Sequence, residues 1–172
     1  MANFIDKTYF SGDIHLVGID NEGIVGTAAN TELSAFIAEY EHIYLLDVLG
    51  ETLYTAFIAG LAQVVPETKW INLKNKFVDK VKKTSPIADF VFFHLINSKV
   101  TQSTQTGEVI PNVQNSVSAS NLNKIIEPFN RSVLSGYRII VWLKENATDY
   151  PEFDYTETNS SGNLEYVNAF NL

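Results

Sequence analysis

Glu39 and His42 are the two residues whose types and spacing come nearest to chemistry in this chain of 172 residues. A Glu and a His three apart share one helical face, and di-iron bundles use such a pair twice with two further carboxylates. Here the pair occurs once. Asp89 and His94 stand at the wrong spacing, and Glu127 has no histidine nearby. A metal-dependent helical-bundle enzyme is therefore an alternative reading and not the leading one. The three histidines, His15, His42 and His94, are the candidate bases; His94, inside "FVFFHLI", reads as a buried or edge histidine. Ser85, Ser116 and Ser118 lack any motif that would activate a nucleophile, and GxSxG, Walker-type, HExxH and GxGxxG patterns are absent. Glu39 and Glu41 are two apart and point to different helical faces. Glu152 and Asp154 follow Pro151 in a turn-rich tail, where acids are ordinarily solvated. With no cysteine, thiolate metal sites, disulfides and cysteine nucleophiles are excluded. The expectation is a protein that is not an enzyme and takes neither cofactor nor metal.

Lysines offer a second kind of chemistry. Five lie between Lys74 and Lys83, and Lys69, Lys76, Lys80 and Lys83 fall on one stripe if the segment from Pro66 is a single helix. Such a strip could line a channel through which DNA passes, although a solvated helix face is the commoner fate. Without base-reading or stacking side chains on that face, sequence-specific recognition is not expected. The net charge of −8 argues against general nucleic-acid binding. That charge is uneven: residues 1–67 carry −9, residues 68–144 carry +7 and residues 145–172 carry −6. Acidic ends and a basic middle complement each other, either within one subunit or between neighbours.

Positioning these residues falls to a mainly α fold in a single domain, with about five helices in a bundle. Residues 1–29 read as an extended arm, because "DNEGIVGTAAN" supplies glycines and no helical period. From Asn30 or Thr31, which could cap the start, Leu33, Phe36, Ile37, Tyr40, Tyr44 and Val48 recur at helical spacing. Gly50 marks a break before a second, shorter helix. A third carries Trp70, Leu73, Phe77 and Val81 on one stripe. A fourth opens with Ser85 as cap and Pro86 at its first position, and its all-round apolar "FVFFHLI" suits the centre of the fold. The fifth begins near Ser118 or Ser120 and runs about 25 residues, with Pro128 expected to kink it or mark a restart. Residues 148–172 form an acidic, aromatic tail, whose "LEYVNAF" could add as a strand or lie along a surface. No apolar run approaches the ~18–20 residues of a membrane span. "MANFIDKTYF" lacks the order of a signal peptide, so neither a membrane nor export is expected.

Between the fourth and fifth helices lies "VTQSTQTGEVIPNVQNSVSAS", a neutral excursion whose one charge is Glu108. Its interspersed β-branched residues and the Thr106-Gly107 turn read as a two-stranded ribbon over 100–118. Pro111 bars a central-strand role. Isolated hairpins are marginal in water, so the segment is either a surface loop or an arm completed by another subunit.

"FIDKTYF", "ELSAFIAEYEHIYLLDVLGETLYTAF", "SPIADFVFFHLI", "TGEVIPNVQNSVSAS" and "VNAFNL" together resemble proteins encoded among the structural genes of tailed phages and prophages of gut bacteria. That set resembles the head–tail connector, or neck adaptor, proteins, and the likeness covers most of the chain in order. The resemblance implies a non-enzymatic virion assembly protein, built in the bacterial cytoplasm and joining a homo-oligomeric ring. Its partners would be a portal or other neck and tail proteins, with non-specific DNA contact in a channel. Thr106, Gly107, Glu108, Val109, Pro111 and Asn115 would then belong to an arm reaching a neighbour, and Lys69, Lys76, Lys80 and Lys83 to the channel face. A generic helical partner-binding module is a further alternative. The extended N-terminal segment and long acidic tail depart from a simple helical adaptor and put its position in a ring in question.

Overall fold

A computed structural model describes residues 3–100, 102–104, 107–109 and 120–167; side chains of residues 100–123 fall outside the description. The described residues form five α-helices: α1 (Gly23–Leu49), α2 (Glu51–Leu61), α3 (Thr68–Phe77), α4 (Pro86–Val100) and α5 (Ser120–Glu145). Two three-residue strands, β1 (Gln102–Thr104) and β2 (Gly107–Val109), lie between α4 and α5. They pair antiparallel with Gln102 opposite Val109 and Thr104 opposite Gly107.

Helices α1, α4 and α5 make the centre. Tyr40 stacks on His94 and Tyr44 meets Phe90, so α4 runs antiparallel to α1. The Tyr44 hydroxyl donates to the Ser132 carbonyl at 2.7 Å, and Val48 lies against Gly136, so α5 runs parallel to α1. Ile87, Ala88, Phe90, Val91, Phe92 and Leu95 are all buried, as an all-round apolar helix requires. The expected start of α4 holds. Ser85 Oγ accepts from the Ile87 amide at 3.1 Å and donates to the Phe77 carbonyl at 2.8 Å, serving two elements at once.

Gly50 separates α1 from α2 at a bend of 118°. Its φ of +75° disfavours any residue with a side chain, and a Cβ there would stand 2.6 Å from Cβ of Glu157. Gly60 lets α2 and α3 meet, because a Cβ at that position would lie inside the indole of Trp70.

Four expectations need correction. The segment 1–29 is not an extended arm over its described length. Short 3-10 turns at Lys7–Tyr9 and Gly12–Ile14 fold it back, and Phe4, Ile5, Tyr9, Phe10, Ile14, Leu16 and Ile19 are buried. Helix α1 begins at Gly23, so Asn30 caps nothing; inside the helix its amide donates to the Ile19 carbonyl at 3.0 Å. Residues 23–31 hide their helical character because only one side of them is covered, leaving no apolar period to read. Helix α3 stops at Phe77, and Val81 is exposed. There Val78 turns extended, Asp79 bridges Thr84, and the Asp79 carboxylate accepts from the amides of Val81 and Lys82 at 3.0 and 2.9 Å. Pro128 marks no restart, since α5 runs on through it.

The tail from Tyr150 lies along the bundle. Asn130 exchanges two hydrogen bonds of 2.9 Å with the backbone of Val167, and Tyr137 donates to the Leu164 carbonyl at 2.9 Å. Leu164 is buried. The tail thus follows α5 in the opposite direction.

Candidate functional site

Glu39 and His42 do not form a site. Both side chains are exposed, and His42 Nδ1 instead meets the Tyr54 hydroxyl at 2.8 Å. Burial, together with Glu41 and Glu51, pushes the Tyr54 phenol up, so it stays protonated and is not itself activated. Among the described residues, no three His, Asp or Glu side chains converge as metal ligands would. His94 packs against Tyr40, Phe90, Phe93 and Phe129. Burial lowers its pKa to about 4, so it is neutral at pH 7, and its Nε2 has no hydrogen-bond partner. His15 is exposed; Ser85 is spent as a cap; Ser116 and Ser118 lie outside the described residues. Glu152 ion-pairs with Lys69 at 3.7 Å, and Asp154 caps the 3-10 turn that follows it.

The lysine stripe dissolves with the end of α3. Lys69 and Lys76 remain on the helix, whereas Lys80 and Lys83 sit in the loop that follows. Lys69 lies over the Trp70 ring and Lys76 over Trp142 at 4.4 Å, while Lys83 stands 5.0 Å from the Tyr9 ring. These ammonium groups cover the protein's own aromatics. Basic middle and acidic ends do meet within the subunit, through Lys69–Glu152 and Arg131–Asp13.

A cleft of about 640 Å³ is lined by Tyr9, Asp13, Lys76, Asp79, Lys83, Asp89 and Arg131. Arg131 grips Asp89 in a fork, Nε at 2.8 Å and Nη2 at 2.7 Å, and Asp13 stands 3.9 Å from Nη1. Burial pushes the Asp89 carboxyl above its usual range against the pull of Arg131. The cleft's charges thus answer one another: Arg131 is held by Asp89, and Asp79 by backbone amides. Lys76 and Lys83 at its edge lie over the Trp142 and Tyr9 rings.

The buried acids Glu41 and Asp47 have structural work. Both oxygens of Glu41 accept from the Phe4 amide at 3.0 and 2.9 Å, pinning the N-terminal segment to α1. Burial raises the Glu41 pKa against these bonds and Lys74. Asp47, on α1, accepts from Ser161 Oγ and from Asn163 at 3.0 Å, pinning the tail. A signal was present: Glu41 shares the apolar stripe of Ile37, Tyr44 and Val48, and Asp47 and Asp89 interrupt apolar runs. An acid at such a position needs a partner.

Comparison with known proteins adds no relative. No protein-family model, curated protein or solved structure matches this chain.

Of the proposed arm residues, Gly107, Glu108 and Val109 form β2, while Thr106, Pro111 and Asn115 lie outside the described residues. β1 and β2 form a sheet of two strands, joined by no other among the described residues.

Proposed function

We propose that this chain is a non-enzymatic assembly protein of the head–tail connector type, which joins copies of itself into a ring through the segment between α4 and α5. The observation that carries the reading is the two-stranded sheet β1–β2, which follows α4 and precedes α5 in the chain, with no third strand among the described residues. A pair of three-residue strands is too small to be stable alone, and its unpaired backbone groups suit addition of another chain's strand. The spending of Glu41, Asp47 and Asp89 on the chain's own ties fits a scaffold better than a catalyst. On this reading the protein is a virion component assembled in the bacterial cytoplasm, and its partners are a portal or other neck and tail proteins. Channel DNA would meet it through Lys80 and Lys82 in the loop, with Lys69, Lys76 and Lys83 already laid over aromatic rings.

The test is deletion of residues 101–117, closed by a short glycine-serine linker, with subunit number read by native mass spectrometry over a range of concentrations. The expected result is an oligomer for the intact chain and a folded monomer for the deletion. An intact chain and a deletion that assemble alike would remove the arm, and the connector reading with it.

A further inference from the structure

Helix α1 is longer than the bundle it belongs to. Lys99, at the end of α4, ion-pairs with Glu32 at 2.9 Å. The parallel registration of α1 with α5, Tyr44 beside Ser132 and Val48 beside Gly136, brings the start of α5 to the same level. Residues 23–31 therefore run on past the ends of both helices by nine residues, or about 13 Å. One side of this projection is covered by its own chain: Gly26 sits tight against Asn21, Asn30 holds the Ile19 carbonyl, and Ala29 faces Gly18. The other side is open. Ile24 is 89% exposed and Val25 66%, with Val17 at 92% in the loop before the helix. Thr27, Ala28 and Thr31 are exposed between them.

Composition says what could cover it. No charge occurs between Glu22 and Glu32. Val81, by contrast, stands exposed among Lys80, Lys82 and Lys83. Of the long stretches of similar neutrality, 52–66 is mostly taken up by α2, whereas 101–119 lies between helices, carries only Glu108 and brings Val109, Ile110, Val113 and Val117. Such a segment buries against a neutral helix face without desolvating a charge; against the lysine loop or the acidic tail it would strand one. It also leaves α4 at the end of the bundle from which α1 projects. We propose that the open face of α1, centred on Ile24, Val25 and Ala28, is the surface on which a second copy of this chain seats its 101–119 segment. The inference rests on the connector reading and names where that arm lands. Arm and receiving face differ, so the contact is heterologous, the geometry from which rings close.

The experiment uses two full-length backgrounds, the 101–117 deletion and the double variant Ile24→Asp, Val25→Asp. Acids in the first turn of a helix favour it, so the double variant keeps α1 folded, which circular dichroism verifies. Each protein alone is expected to be monomeric, because one lacks an arm and the other a receiving face. Mixed, they should form a one-to-one heterodimer in native mass spectra, arm of one on face of the other. A synthetic 101–119 peptide, titrated into the deletion protein, should shift the amide resonances of Val17, Ile24, Val25 and Ala28. In the deletion protein that also carries both aspartates it should bind about tenfold or more weaker. A double variant that assembles like the intact chain, or a peptide that leaves those resonances still, overturns the receiving face. If the arm deletion alone abolishes assembly, the connector reading survives that loss; if neither variant changes assembly, both fall.

Discussion

Replacing Arg131 with Met keeps the length of the side chain and removes its charge, leaving Asp89 as an ionised carboxylate without its partner. Asp89 is only 7% exposed and receives two charge-assisted bonds, at 2.8 and 2.7 Å. Breaking a fully buried pair costs about 3–5 kcal/mol. The Arg131 side chain is 45% exposed, so water shares part of the work and the expected loss is nearer about 2–3 kcal/mol at pH 7. For a chain of this size that corresponds to a melting temperature lower by about 4–12 °C. Urea unfolding, followed through the fluorescence of Trp70 and Trp142, is the assay. Two controls separate charge from packing. Adding Asp89→Asn to the Met variant removes the stranded charge and should recover about 1 kcal/mol. Lowering the pH from 7 to 5 should also narrow the gap to the unmutated protein. Burial already holds the Asp89 carboxyl above its usual range with Arg131 present, and removing Arg131 raises it further. A carboxyl whose folded pKa exceeds its unfolded one takes up a proton on folding, so acid favours the folded variant. A Met variant within about 0.5 kcal/mol of the original, or one whose deficit is the same at both pH values, would refute the account of Asp89 as a buried charge held by Arg131.

Other parts of the structure give sharp outcomes. Gly60→Ala drives a methyl into the Trp70 ring and should cost about 2–3 kcal/mol in urea titrations, whereas Ala59→Gly on the same helix should cost only about 1. Glu41→Ala removes the acceptor for the Phe4 amide, so hydrogen exchange at residues 4–10 should quicken by about tenfold or more while that of α4 is unchanged; equal exchange would show that apolar packing alone holds the segment. His94→Phe tests a titration. Its pKa falls from 6.5 to about 4 on folding, so the unfolded chain binds the proton more readily and stability drains away as pH drops through that window. After discounting for the ring's partial exposure, Phe should gain about 1–2 kcal/mol on the original between pH 7 and pH 4, and a constant difference would contradict the assignment.

The sequence by itself determined the elements whose signals are local. Gly50 ends one helix because only glycine tolerates its φ, and Ser85-Pro86 opens another because a hydroxyl and a missing amide suit a helix start. The apolar "FVFFHLI" lies at the centre, since a helix apolar on all sides has nowhere else to go. Other boundaries were decided by contacts that spacing cannot carry. Residues 23–31 extend α1 although they present no apolar stripe, because Asn21 and Ile19 fold back onto one side of them. After Phe77 a helical pattern of lysines and Val81 continues in the sequence, but Asp79 takes the loop's own amides and the chain turns away. The ties that hold the molecule were the least legible. Arg131 with Asp89, Glu41 with Phe4 and Asp47 with Asn163 are 42, 37 and 116 residues apart. An acid inside an apolar run announces that it must be satisfied, and only the tertiary structure decides by which group, because the partner is chosen by where the chain returns in space and not by its place along the chain.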